Sequence, residues 1–344
     1  MSEGAGDVQG QIAQLMIYPV KSCAGIAVQE AVLLETGLQW DRHWMVVDAE
    51  GLFVSQRECA RMALIRPQIE VNTLRLQAPG MPDLRVPLQA TGPTLRVQVW
   101  DDVVDALDMG PEAAQWLQTF LGGAAERLVR FDPAAQRACS TKWTGGVAAS
   151  TQFADGYPVL VTTDSAMDEL NTRLAAQCHP AVGMERFRPN VVLSGLLPHD
   201  EDHLGPLAVW DNGAVVASLQ LVKPCARCPI PNIDPATADS HPGVGDALQA
   251  YRQDARVNGA ITFGMNAIVT HGAGTVLRVG QAGLDAPRSP VLFSVFLDTS
   301  KVTVGKTVVF SLELAVSTTG YTIDQKLWLD QHVEGEYLFR DTLT

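Results

Sequence analysis

"KPCARCPIPNID", residues 223–234, sets Cys225 and Cys228 two residues apart and then runs into prolines. Sulfurs at that spacing can supply half of a zinc site, form a redox dithiol, pack as a buried pair, or present one thiolate to another soft metal. A structural zinc site needs four ligands, yet there is no second CxxC, and His241 and the other histidines fall at no zinc-like spacing. A redox dithiol sits at a helix N-terminus within a βαβ unit, whereas Pro229, Pro231 and Pro235 predict an irregular loop. On this stretch alone the alternatives stay open.

Three further stretches carry cations. "YPVKSC" places Lys21 and Ser22 after an apolar strand, an ammonium and a hydroxyl suited to a phosphate. "DRHW" sets Arg42 at the entry to a strand, and "ERFRPN" flanks Phe187 with Arg186 and Arg188, which strand alternation would put on the same side. Taken singly, each arginine reads as a surface ion pair. The whole chain has a net charge of -13, which argues against nucleic acid as a partner. In so acidic a protein a local cluster of cations marks a pocket for a small anion.

The elements that must position these groups are mostly strands. "TLRLQ" and "LRVQVW" alternate with period two, and "HWMVVDAEGLFVSQ" reads as a hairpin turning at Asp48, Glu50 and Gly51. "PEAAQWLQTFLGG" predicts a helix opened by Pro111 and stopped by Gly122 and Gly123. "DSAMDELNTRLAA" predicts a second, capped by Thr163 or Ser165. Between them, "CSTKWTGGVAASTQFADGYP" is polar and glycine-rich and reads as a long surface loop. Strands return after Asn190, with a short helix in "ALQAYRQD". The fold class expected is α+β, mostly β, with strands curled into barrels rather than alternating as in a doubly wound sheet. The divisions expected are an N-terminal β-barrel-like domain over residues 1–100, a second barrel with connecting helices over 101–283, and a β-rich extension over 284–344.

With 344 residues, 47% of them apolar, the chain is globular and long enough for two domains. No apolar run reaches the roughly 18 residues that a membrane span needs. The start, MSEGAGDVQGQ, has no basic and apolar leader, so a cytoplasmic location without a membrane partner is expected. Six cysteines are too sparse for a disulfide scaffold.

Taken in order, "YPVKSC", "DRHWMVVDAEGLFVSQRE", "FADGYPVLVTTDSAMDELN", "MERFRPNVVLSG", "VKPCARCPIPNIDP" and "FGMNAIV" resemble the MOSC superfamily over roughly residues 11–282. The likeness is to its bacterial proteins that resist N-hydroxylated bases and to its mitochondrial amidoxime-reducing components. The resemblance implies a molybdenum cofactor (Mo-molybdopterin), with Cys228 as the thiolate ligand of the metal and so the catalytic residue. It implies that Lys21, Ser22 and Arg42 hold the pterin and its phosphate, with Arg188 as a further contact. Asp155, Gly156 and Tyr157 match a loop that approaches the pterin, and Ala226 a contact inside the CxRC turn. Cys225 is expected to be inert. Asp234 reads either as a group orienting the ligand loop or as a plain turn residue before Pro235.

The activity implied is reduction of small N-hydroxylated substrates (hydroxylaminopurines, hydroxylamines, amidoximes) with electrons from a separate donor protein. The alternative implied is carriage of the cofactor or its sulfur without turnover, although no pyridoxal-phosphate sulfurase domain is expected in this sequence. Two departures stand out. Pro231 and Asn232 occupy places where some relatives carry threonine, on the substrate side of the ligand loop. No cysteine follows Cys228, so residues 284–344 do not supply the four thiolates of the [2Fe–2S] domain that several bacterial relatives append, and no iron–sulfur cluster is expected.

Overall fold

The computed structural model describes residues 7–89, 91–123 and 125–287. Its backbone is dominated by strands, as the period-two patterning predicts. The largest sheet runs in the order Val159–Thr163, Val191–Ser194, Asp7–Ile17, Ala282–Pro287, Leu207–Asp211, Ala214–Ala226 and Ala260–His271. The first and last of these strands also pair, Val159 opposite Ala267 and Val161 opposite Met265, so the sheet closes on itself as a barrel. Every neighbouring pair is antiparallel except Val159–Thr163 with Val191–Ser194, which the helix Asp164–Ala176 connects as a crossover. Alternate residues of these strands, among them Ile12, Leu15, Val161, Leu193, Leu219 and Ala267, fill the interior.

The second strand system is built from Trp44–Val47, Arg127–Phe131, Asp102–Asp108 and Thr94–Val99 in one sheet and Arg66–Ile69, Thr73–Gln77 and Leu84–Pro87 in another. The helix Pro111–Leu121 buries Ala113, Trp116, Leu117 and Phe120 against it, and Gly122 ends the helix at a φ of 62°. The strand Asp7–Ile17 lies in the large sheet, and the segment after it returns to the smaller one through a parallel bridge from Val20 to Trp44. Residues 18–23 therefore run where the two strand systems meet.

The helix over Asp164–Ala176 is capped by Thr163, whose Oγ1 accepts from the Ala166 amide. The segment read as a long surface loop is different. It contains a one-turn helix, Thr141–Thr144, and it buries Cys139, Thr151, Phe153 and Tyr157. Just before it lies an anchor outside any motif: buried Arg137 donates to the carbonyls of Gln152, Ala154 and Asp155 and to the Asp102 carboxylate. The extension expected over residues 284–344 has its first four residues at the end of the strand Ala282–Pro287, and residues 288–344 lie outside the described residues.

One buried group sets a pH dependence. Burial, then the neighbouring Asp202 carboxylate, pushes Glu201 up to about 8. Burial likewise holds His199 down to about 3 and His43 down to about 3. In the unfolded chain Glu201 ionises at its ordinary value while the folded state keeps the proton, so its contribution to stability falls from there until pH passes its folded pKa. The histidines act oppositely, but only below about 6.5, where the unfolded imidazole charges. Between about pH 6.5 and 8 these histidines no longer contribute, and the Glu201 effect costs about 2 kcal/mol. Chemical denaturation of Glu201→Gln should show that slope removed, with the variant more stable than wild type at pH 8 and the same slope in both proteins contradicting the assignment.

Candidate functional site

A cavity of about 510 Å³ opens where the two strand systems meet. Lys21, Ser22, Arg42, Asp155, Gly156, Tyr157, Arg188, Ala226 and Cys228, drawn from five separate stretches of sequence, all lie on its wall. Backbone pairing puts them there. The Lys21 amide donates to the Trp44 carbonyl and the Arg42 amide to the Tyr18 carbonyl, which locks the two cation-bearing turns together. Cys228 lies two residues beyond the end of the strand Ala214–Ala226, where that strand leaves the barrel.

Six cations and two carboxylates line the cavity: Lys21, Arg42, Arg57, Arg188, Lys223 and Arg227 against Asp101 and Asp155. The guanidinium groups of Arg42 and Arg188 both stack on the ring of Tyr18, at 4.4 and 4.3 Å from its centroid. Arg42 is neutralised by buried Asp41, which accepts from Arg42 Nη1 at 2.6 Å and from the Tyr18 amide at 2.8 Å. Burial, then the adjacent Arg42 charge, lowers Arg188 to about 10, and its Nη2 is buried without a partner while Nη1 donates to the Cys23 carbonyl at 2.6 Å. Lys21 is 6% exposed, and burial lowers its pKa against the opposing pull of Asp155. Buried donors with charge and spare hydrogen-bonding capacity suit an anion.

The backbone is strained at the same place. Ser22, Arg42 and Arg188 have φ values of 67°, 50° and 59°, and Trp100 on the same wall has 56°. Left-handed backbone costs a non-glycine residue about 1–2 kcal/mol, and such residues gather at functional sites.

At the other end of the wall the two cysteines differ. Cys225 Sγ accepts from Arg227 Nη1 at 3.0 Å, while Arg227 Nη2 donates to the Phe187 carbonyl at 2.9 Å. Cys225 is thus part of the scaffold of the turn, whereas Cys228 lines the cavity without a comparable hydrogen bond. No group of three or more His, Cys, Asp or Glu able to hold a metal occurs among the described residues.

One expectation changes. Arg186 and Arg188 are not on a strand: Met184–Arg186 is a 3-10 turn, Arg188 turns left-handed, and the two side chains take different partners. Arg188 faces the cavity, whereas Arg186 donates to the Pro231 carbonyl and to Asp234 Oδ2 at 3.0 Å. Asp234 also accepts from the Ala236 amide, so it fastens the ligand loop to the arginine turn as well as shaping its own turn. Arg57, Phe53, Trp100, Lys223 and Asn266 also line the cavity and went unread in the sequence, because each is a single residue with no spacing to mark it.

The sequence matches the MOSC N-terminal beta barrel domain over residues 9–124 and the MOSC domain over residues 148–283. It is 35% identical over 257 residues to mitochondrial amidoxime-reducing component 1 of Mus musculus, covering 71% of this chain and 72% of that protein. It is 33% identical over 255 residues to mitochondrial amidoxime reducing component 2 of Homo sapiens, with 71% and 72% covered. A molybdenum cofactor sulfurase of Drosophila grimshawi is 31% identical over 250 residues, which is 70% of this chain and 30% of that protein. No helix among the described residues is long and apolar enough to cross a membrane.

Proposed function

Because the chain belongs to the MOSC family and carries both its N-terminal β-barrel domain and the MOSC domain, we propose that the cavity holds a molybdenum cofactor and reduces small N-hydroxylated compounds. The observation that carries this is the gathering of six cations and the uncommitted Cys228 sulfur on one wall of an otherwise acidic protein. The residues present fit the group. Lys21, Ser22, Arg42 and Arg188 would hold its phosphate and pterin, the spare Nη2 of Arg188 offering a donor already buried. The segment Asp155–Tyr157, pinned from behind by Arg137, would close against the ring, with Ala226 inside the CxRC turn. Cys228 would bind the metal. The bound group supplies two-electron redox chemistry; binding, orientation and electrostatics are the protein's part.

The reaction consumes two electrons and two protons, turning R–NH–OH into R–NH2 and water. Electrons come from a separate donor protein, a reading supported by the likeness to proteins named amidoxime-reducing components. The rival reading, carriage of the cofactor or its sulfur, draws on the likeness to the sulfurase. Steady-state assays separate the two. The metal-loaded protein should reduce benzamidoxime and hydroxylaminopurine over many turnovers when given an electron-transfer protein, and should not do so with NAD(P)H alone. Failure with several donors would favour the carrier, and turnover with NAD(P)H alone would remove the partner.

A further inference from the structure

The strands Thr94–Val99 and Asp102–Asp108 form a hairpin closed by only two residues, Trp100 and Asp101. The first position of such a loop favours glycine or asparagine because φ must be positive, yet here a tryptophan holds φ at 56°. A strained bulky residue persists where its side chain is used. The Trp100 indole is 39% exposed and forms part of the cavity wall. It packs against Phe53 with centroids 5.1 Å apart, and the Arg57 guanidinium lies 4.4 Å from its ring. Trp100 Nε1 donates to Asp155 Oδ1 at 3.1 Å, and Lys21 Nζ donates to that same oxygen at 2.5 Å. Two donors far apart in sequence thus converge on one carboxylate oxygen, on a side chain that is 76% exposed. Arg57 stands beside them, its carboxylate partner Glu58 as far as 3.9 Å away.

We propose that Trp100 and Lys21 form a two-donor site for an oxygen of a phosphate monoester, and that the Asp155 carboxylate occupies this site until the phosphate displaces it. The tetrahedral phosphate accepts from Lys21 Nζ and Trp100 Nε1, and Arg57 balances its second charge. The Asp155 side chain is exposed enough to turn out into water once the phosphate takes its place beside Lys21, and had it stayed, it would repel the incoming anion. The proposal rests on the reading of this cavity as the site of a phosphate-bearing ligand. The phosphate comes either from the cofactor or from a phosphorylated substrate.

Calorimetric titration of inorganic phosphate into the cofactor-free full-length protein tests the site without metal or turnover. Trp100→Phe keeps a ring but removes the N–H, and should weaken phosphate about 10-fold, as the loss of a hydrogen bond to a charged group does. Trp100→Gly should lose phosphate equally while melting no lower than wild type, because glycine suits the turn. Asp155→Asn should bind phosphate more tightly, again about 10-fold. Unchanged phosphate affinity in Trp100→Phe and Asp155→Asn would overturn the proposal. In protein from a host that makes the cofactor, loss of pterin and molybdenum from Trp100→Phe assigns the site to the cofactor's phosphate. Full loading with a KM raised only for a phosphorylated substrate, and not for its dephosphorylated counterpart, assigns it to the substrate. Full loading with neither effect also overturns it. A protein that binds phosphate in this way yet reduces nothing leaves the site standing and removes only the reductase reading.

Discussion

Cys228→Ala is expected to lower steady-state reduction of benzamidoxime by more than about 100-fold, beyond what losing a merely supporting neighbour of a metal ligand costs. The expectation follows from the division of labour in the CxRC turn. Cys225 is already engaged by Arg227, which also holds the Phe187 carbonyl, so removing the Cys225 sulfur disturbs a hydrogen bond that shapes the turn. Removing the Cys228 sulfur takes away the one thiol of the pair with no such engagement. Cys225→Ser should therefore keep metal and lose no more than about 10-fold in rate, in the lower part of the range for supporting groups. Equal losses in the two variants, or a larger loss in Cys225→Ser, would reverse the roles. Circular dichroism and thermal melting of both proteins separate loss of the metal from loss of the turn.

Arg42→Ala is expected to be the most damaging single change to the fold at the site. Its partner Asp41 is 4% exposed, and burial already raises its pKa against the pull of Arg42. Without the guanidinium, an uncompensated carboxylate remains inside the protein, and breaking a buried pair in this way costs about 3–5 kcal/mol. Adding Asp41→Asn should recover most of that loss, since an amide oxygen can still accept from the Tyr18 amide that now bonds Asp41 at 2.8 Å. The double variant should nevertheless fail to hold the cofactor, because the cation is still missing. Urea denaturation with pterin analysis of the same samples reads both quantities. Recovered stability together with recovered cofactor would show that Arg42 serves the fold alone.

Much of this site was legible in the sequence because its residues come in short runs that mark themselves: a lysine and serine ending an apolar strand, arginines beside aromatics, a CxxC running into prolines. Alternation in "TLRLQ" and "LRVQVW" gave the strands Thr73–Gln77 and Thr94–Val99. Pairing between distant strands was not legible. Nothing local says that Val159–Thr163 should meet Ala260–His271 and close the barrel, or that a strand from the start of the chain should sit beside Val191–Ser194. The different partners of Arg186 and Arg188 follow from a 3-10 turn and a left-handed φ, which a period-two argument cannot anticipate. Trp100, Arg57 and Arg137 were missed for a related reason. Each acts through contacts to residues well separated in sequence, and composition averages such contacts away, as it did in the segment 139–158, where polar residues concealed the buried Phe153.

The most direct measurement is molybdenum and pterin content per chain in wild-type protein purified from a host that makes the cofactor. The account predicts molybdenum and pterin each near one per chain. Zinc in their place, or neither metal nor pterin in a folded protein, would contradict it and return the CARC turn to a structural or redox role.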